Sequence, residues 1–344
     1  MMKKFIILFA FAVALFSCEN QDNDFEDYDF QTVYFPIQYP ARTLALGESR
    51  SDNSIDLEHA FSIGASVGGM YENTKERVVK IRLAPELVNG AFVAGRPVQM
   101  LPSNYYENTD FSSITIPAGE FNGKLRVNLT DAFFADTLST EVNYVIPLVI
   151  EQSTEDSVLS GVPLPEIGAS ADRRVDADWM PGFEPKDYTL FAVKYINPYH
   201  GMFLHSGVDE TLDESGNVVE TFTYRADYVE QDLLTLLTTK SMTTCYMDRL
   251  GGQNQGDNFK VELTFNESGN ITIESANGDD TVSGTGTFVT ADDPNAVEWG
   301  ERGHMTLNLD YYYTVGGVTH HAVDQLVYRD NNMQYEEFSI TIED

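Results

Sequence analysis

Apolar and polar residues alternate along most of this chain, and that period of two is what most restricts its fold. Val79, Ile81 and Leu83 alternate with Lys80 and Arg82, and Leu125, Val127 and Leu129 with Lys124, Arg126 and Asn128. Val261, Leu263 and Phe265 alternate with Lys260, Glu262 and Thr264, and Met305, Leu307 and Leu309 with Thr306 and Asn308. Successive side chains of a strand point to opposite faces, so such runs read as strands with one buried face. Turns punctuate them, as at Ile116-Pro117-Ala118-Gly119 and Asn266-Glu267-Ser268-Gly269-Asn270. The expected class is all-β. Residues 30–152 read as an antiparallel sandwich. Residues 187–344 hold roughly eight to ten sequential strands with short turns, a meander that closes into an antiparallel barrel. Residues 153–186 lose the period, hold Pro163, Pro165, Pro181 and Pro185, and read as a linker. Tyr228–Thr238 is the best helix candidate in the second half. Pro147, inside Val142–Glu151, marks that strand as an edge or as bulged.

The start of the chain is of a different kind. Lys3 and Lys4 precede an apolar run from Phe5 to Phe16, followed by Ser17-Cys18 and the acidic segment Glu19–Asp27. This order is that of an export signal, and the run is too short for a membrane-spanning helix. Leu15-Phe16-Ser17-Cys18 resembles a bacterial lipobox, whose cysteine becomes the lipidated first residue. An acidic cluster directly behind that cysteine resembles the surface-export signal of Bacteroides-type lipoproteins. The expectation is a signal peptide over 1–17, an acidic tether over 18–29, and an anchor through lipidated Cys18 on the extracellular face of the outer membrane. With Cys18 so used, Cys245 has no intrachain partner, and stability must come from core burial.

The charge narrows the partners. There are 54 Asp and Glu against 21 Lys and Arg, for a net charge of −33. Nucleic acids and anionic membranes need a basic patch, so both are excluded as partners. Neutral ligands, sugars among them, remain.

Signatures of chemistry are sparse. The P-loop and His-Glu-x-x-His motifs are absent. His320 and His321 are adjacent on a strand, face opposite sides and cannot easily share a metal. No cofactor is expected, although the acidic turns Asn277–Asp280 and Asp292-Asp293-Pro294 leave calcium open without matching an EF-hand loop. A glycosidase needs two carboxylates at a set separation, and so many acids nominate no particular pair. No catalytic residue is therefore assigned, and the chain reads as a non-enzyme. Sugar binding needs flat aromatic faces with amides and carboxylates around them. Trp299, in a polar loop entering a strand, is the first candidate. Tyr312 follows, because Tyr311-Tyr312-Tyr313 must place two rings on one face and one on the other. Tyr199 and His200, at the start of the barrel, and Trp179 in the linker complete the set. The competing reading for each is plain packing.

One family resemblance covers most of the chain. Tyr34-Phe35-Pro36-Ile37-Gln38-Tyr39-Pro40, with Arg42-Thr43-Leu44 and Gly47-Glu48 behind it, resembles the N-terminal domain of a large group of Bacteroides outer-membrane lipoproteins. Val193–Gly201 resembles the opening of the C-terminal domain that accompanies it, and Asp324–Asp330 its closing strand. The resemblance implies an immunoglobulin-like sandwich followed by a lipocalin-like barrel. It also implies a cell-surface protein of a polysaccharide-utilisation system that binds a polysaccharide or oligosaccharide beside an outer-membrane importer complex. A surface adhesin or structural protein-binding module is the alternative, and a glycoside hydrolase the third reading.

Overall fold

A computed structural model describes residues 27–154, 156–254, 261–277 and 281–343. Cys18, the signal and most of the acidic tether lie outside the described residues, as does the Gly278–Asp280 part of one acidic turn.

The first half is a two-sheet sandwich. One sheet holds β1 (Thr32–Tyr34), β3 (Ala60–Gly68), β6 (Asn122–Leu129) and the short β8 (Ser157–Val158), with β3 between β1 and β6. The other holds β2 (Pro40–Ala45), β4 (Arg77–Leu83), β5 (Ser113–Ile116), β7 (Tyr144–Ser153) and β9 (Tyr188–Ile196), in the order β2-β9-β7-β4-β5. The alternation puts Phe61, Ile63, Ala65 and Val67 of β3 into one core with Val79, Ile81, Ile114, Ile146 and Tyr195 of the other sheet. Each large side chain buried this way contributes about 1.5–3 kcal/mol.

The second half closes into a barrel. Its strands are β10 (Gly201–Leu212), β12 (Leu233–Ser241), β13 (Thr244–Met247), β14 (Val261–Phe265), β15 (Asn270–Ser275), β16 (Val282–Val289), β19 (Thr306–Val315) and β20 (Val318–Asp330). Each pairs antiparallel with the next, and β20 returns to β10 over Met202–Leu212. β11 (Val218–Tyr224) extends β10 beyond the point where β12 leaves it. A small hairpin, β17 (Val297–Trp299) and β18 (Arg302–His304), stands beside the barrel. After β20 the chain returns to the sandwich. There β21 (Glu336–Glu337) pairs with β2, and β22 (Thr341–Ile342) pairs with Ala91–Phe92.

All-β class, sandwich and barrel stand as expected, and four local expectations are corrected. The first concerns the boundary at 187. Tyr188–Ile196 lies inside the sandwich, parallel to β2 and antiparallel to β7, so the barrel begins after Asn197. Its nearly unbroken apolar run is that of a strand buried on both faces. The second concerns the linker. Ser157-Val158 runs parallel to β1, Pro163 bridges Trp179, and Arg173 pairs with buried Asp187 at 3.0 Å, so 153–186 is packed structure. Third, Tyr228–Thr238 is a 3-10 turn at Val229–Gln231 followed by β12, since its threonines and branched residues fit a pleated surface better than a helix. Fourth, of the two readings of Pro147 only the edge is corrected: β7 is a central strand, and it does carry a bulge, where its register against β4 shifts between Ile150 and Gln152. The proline carbonyl accepts from Ala84 N at 2.9 Å just past the end of β4, where the ladder has no further need of its N–H.

The two halves are tied closely. Asn197 donates from Nδ2 to the carbonyls of Ser241 and Thr244 and accepts at Oδ1 from the buried Cys245 thiol, linking the end of β9 to β12 and β13. Burial pushes that thiol up to about 12, so it is an inert core group. Gly47 passes so near Pro198 that a Cβ would sit 2.7 Å from its carbonyl oxygen. Gly201, at φ +143°, would place one 2.3 Å from Asp330 O. Both positions accept only glycine because the backbones touch there.

Candidate ligand-binding cleft

The seam between sandwich and barrel opens into two adjoining hollows. The larger, about 390 Å³, lies between Thr43, Lys194 and Ile196 of the sandwich, His200 and Thr238–Thr239 of the barrel, and the strap Asn331–Glu336. The second, about 340 Å³, shares Asn331–Gln334 and continues over Ser49–Ser51 and Asp330.

The chain builds this cleft in a definite way. The strap joins the last barrel strand to the sandwich edge, so it must cross the seam. Asp330 Oδ1 accepts from Asn332 N at 2.9 Å, which turns the chain out of β20, and Asn332 takes φ +50°. Tyr335 is 72% exposed, and its hydroxyl donates to Glu337 Oε1 at 2.8 Å, which steadies the ring. Lys194 Nζ lies 2.6 Å from Glu336 Oε2, so these two charges cancel. Asn331 Nδ2 is buried and has no hydrogen-bond partner among the described residues, an unspent donor at the wall shared by both hollows. An exposed aromatic ring, amides, hydroxyls and a neutralised ion pair suit a neutral, hydroxyl-rich ligand.

His200 sets the back of the cleft. Its Nδ1 accepts from Thr239 N at 3.0 Å, so the imidazole is neutral with its proton on Nε2. Burial, with Lys194 nearby, lowers its pKa from 6.5 to about 4. The unfolded chain therefore takes up a proton that the folded chain refuses. Stability is expected to fall as pH drops from 6.5 toward about 4 and to level off below. Denaturant midpoints against pH check this, and His200→Asn, which keeps an acceptor but does not titrate, is expected to flatten that part of the profile.

The other nominated residues are dispersed. Tyr199 stacks on Phe265, with centroids 3.8 Å apart and planes within 4°, and plugs the barrel end. Trp179 is buried and donates from Nε1 to Asp172 O at 2.8 Å, so it covers the folded linker and offers no platform. Trp299 lies flat on His304, with centroids 4.2 Å apart, at the tip of the β17–β18 hairpin. Its neighbour Arg302 reaches Glu48 at 2.9 Å, beside the second hollow. Tyr312 projects from the outer barrel wall while Tyr311 and Tyr313 point inward. The cleft thus gathers His200 but none of the other four. Sequence reasoning passed over Asn331 and Tyr335, which stand in an acidic, amide-rich stretch with no strand period.

The barrel interior holds a second polar grouping. Asp324 accepts from the Tyr224 and Tyr311 hydroxyls, and His205 Nε2 lies 3.0 Å from its Oδ2. Asp209 accepts from Tyr313 at 2.8 Å, and His320 Nδ1 lies 3.2 Å from it. Burial and the neighbouring carboxylates hold Tyr224, Tyr311 and Tyr313 well above the usual tyrosine range. The carboxylates and tyrosine hydroxyls satisfy one another, His205 Nε2 is left without a hydrogen-bond partner among the described residues, and none of these groups opens on the hollows described above. The Gly-x-Ser-x-Gly spacing does occur, at Gly64-Ala65-Ser66-Val67-Gly68, but it lies within β3. Ser66 there donates to Asn122 Oδ1 at 2.5 Å, and there is none of the strand-to-helix turn that a nucleophile needs. Among the described residues no group of three or more His, Cys, Asp and Glu side chains is placed to hold a metal ion. Asp293 of the acidic turn instead accepts from Asn295 N at 2.8 Å.

Comparison with known proteins agrees with this division of the chain. A family profile described as a domain of unknown function, DUF5627, matches residues 198–332, the barrel. A profile for an N-terminal domain matches residues 28–157. A crystal structure of a Bacteroides ovatus protein of unknown function shares 31% identity, covers 92% of this chain and 100% of its own, and superposes with a TM-score of 0.78. An auxiliary nutrient binding protein from Bacteroides thetaiotaomicron shares 15% identity over 84% of this chain and 90% of its own, with a TM-score of 0.39. No curated protein matches.

Proposed function

For a chain that belongs to the same family as that Bacteroides ovatus protein, we propose a non-catalytic, glycan-binding role at the seam between sandwich and barrel. The observation that carries this reading is the pairing of the exposed, hydrogen-bonded Tyr335 ring with the unspent Asn331 amide, on a strap that borders two polar hollows. The cancelled charges of Lys194 and Glu336 favour a neutral ligand over an ionic one. The buried carboxylates Asp209 and Asp324 are engaged by tyrosines and histidines, an arrangement of structure more than of hydrolysis. The protein works at the outer face of the outer membrane, held by lipidated Cys18 on the acidic tether and passing oligosaccharide to an importer complex.

A protein-binding role is the second reading, and β11 favours it. Val218, Val219 and Phe222 are exposed on this strand, whose outer edge is unpaired among the described residues. Such an edge can accept a strand from a partner.

Affinity electrophoresis and a glycan-array screen separate the two. A neutral glycan is expected to bind, and Tyr335→Ala is expected to weaken it by about tenfold to a hundredfold, the loss of one well-placed aromatic contact. Trp299→Ala, whose ring is already stacked on His304, is expected to change binding by less than about threefold. If no glycan binds, the reading fails. If binding survives Tyr335→Ala, the cleft is not its site.

A further inference from the structure

We propose a second ligand site on the outer wall of the barrel, a groove for a linear neutral oligosaccharide. It takes its ligand class from the reading of the cleft but stands on different residues. Tyr312 is 49% exposed, and one face of its ring lies on His321, with centroids 4.5 Å apart and planes within 14°. That imidazole is itself held through Nε2 by Asp310 at 2.9 Å, and its Nδ1 lies 3.4 Å from Glu210 Oε2. The cross-strand partner of Tyr312 on its other side is Ser283, too small to cover the second face of the ring. The result is a fixed aromatic platform, and a ligand that uses it loses little further side-chain freedom.

Beside this platform a hollow of about 520 Å³ runs across β15, β16, β19 and β20. Register pairs Thr272 with Thr285, Thr285 with Asp310, Thr287 with Asn308, and Asn308 with Gln325. Hydroxyl, amide and carboxylate groups therefore recur at the strand spacing of roughly 4.8 Å. Gln325 donates to Asn308 Oδ1 at 3.1 Å, which orders that end of the row. The occupant follows from charge. The lining carries Asp310 and no Lys or Arg, in a chain of net charge −33, so phosphate, sulfate and acidic sugars are repelled. The large apolar side chains exposed here are Val323 and Tyr312, an area far less than the roughly 800 Å² per partner that a stable protein interface buries. A neutral chain of hydroxyls beside one flat ring fits what is present.

Two such sites on one chain change how it holds a polymer. Linking both engagements along one glycan raises the effective affinity without any new contact.

The test is calorimetric titration of the purified chain with linear neutral gluco-, manno-, xylo- and galacto-oligosaccharides, using wild type, Tyr312→Ala, Tyr335→Ala and the double variant. Circular dichroism confirms that each is folded. Wild type is expected to show two sites, each single variant one, and the double variant none. Affinity for the matching polymer is expected to fall at least about tenfold in either single variant. The wall site is overturned if every oligosaccharide that binds wild type binds Tyr312→Ala with the same stoichiometry and affinity. If Tyr312→Ala removes binding while Tyr335→Ala does not, the wall site stands and the cleft reading fails. If no oligosaccharide binds, both fail.

Discussion

Asp324→Ala is expected to cost about 3–5 kcal/mol of stability, the usual price of breaking a buried charged network from one side. Asp324 sits on the strand that closes the barrel, opposite Gly207 in the ladder, and a Cβ on that glycine would meet its carboxylate. Its oxygens accept from Tyr224 and Tyr311 and face His205, and all four side chains are buried. Removing the carboxylate leaves two buried hydroxyls without their acceptor and a buried imidazole without the carboxylate it faces. Asp324→Asn keeps an acceptor and is expected to cost less, about 1–3 kcal/mol. The exposed Asp310→Asn is the control, expected within about 0.5 kcal/mol. Urea unfolding monitored by circular dichroism measures all three. A loss under about 1 kcal/mol for Asp324→Ala would show that the network is not holding the barrel shut.

The second large effect is in the sandwich. Arg77 and Asp156 form an ion pair at 3.1 Å with both side chains almost wholly buried. Asn73 and the Lys75 carbonyl also accept from the guanidinium, and Ser153 donates to the other carboxylate oxygen at 3.0 Å. Asp156→Ala leaves a guanidinium without its counter-charge and is expected to cost about 3–5 kcal/mol. The double variant Arg77→Leu, Asp156→Leu removes both charges and is expected to recover most of that loss, because the pair's attraction barely exceeds its desolvation. A double-mutant cycle in urea decides the matter. A double variant as unstable as the sum of its singles would refute the argument.

Much of the architecture was legible from alternation alone. Tyr311 and Tyr313 turn inward and Tyr312 outward, and His320 and His321 take opposite sides, because each follows from a period of two within its own strand. The boundary at 187 failed for a related reason. An unbroken apolar run announces a strand covered on both faces but does not say whose faces cover it, and β9 finds β2 and β7 rather than the barrel. The linker failed because its order comes from single contacts, Trp179 to Asp172 and Arg173 to Asp187, that leave no period behind. Asp209, Asp324 and Asp156 were invisible among 54 acids, since burial is a property of the neighbours.

The cleft was the least legible part. His200 was within reach because it follows the Asn197-Pro198 break. Tyr335 and Asn331 were not, because their stretch has no period, and only the return of the chain to pair Glu336–Glu337 with Pro40–Ala41 makes it a strap. The sequence by itself determined the all-β class, the presence of two β units, and which face of most strands is buried, for these depend on residues two apart. Only the tertiary structure decided which strands pair, which acids are buried, and where a ligand can rest. Those depend on contacts between residues tens to hundreds of positions apart, such as Asn197 with Ser241 and Tyr328 with Glu48, which no local pattern records.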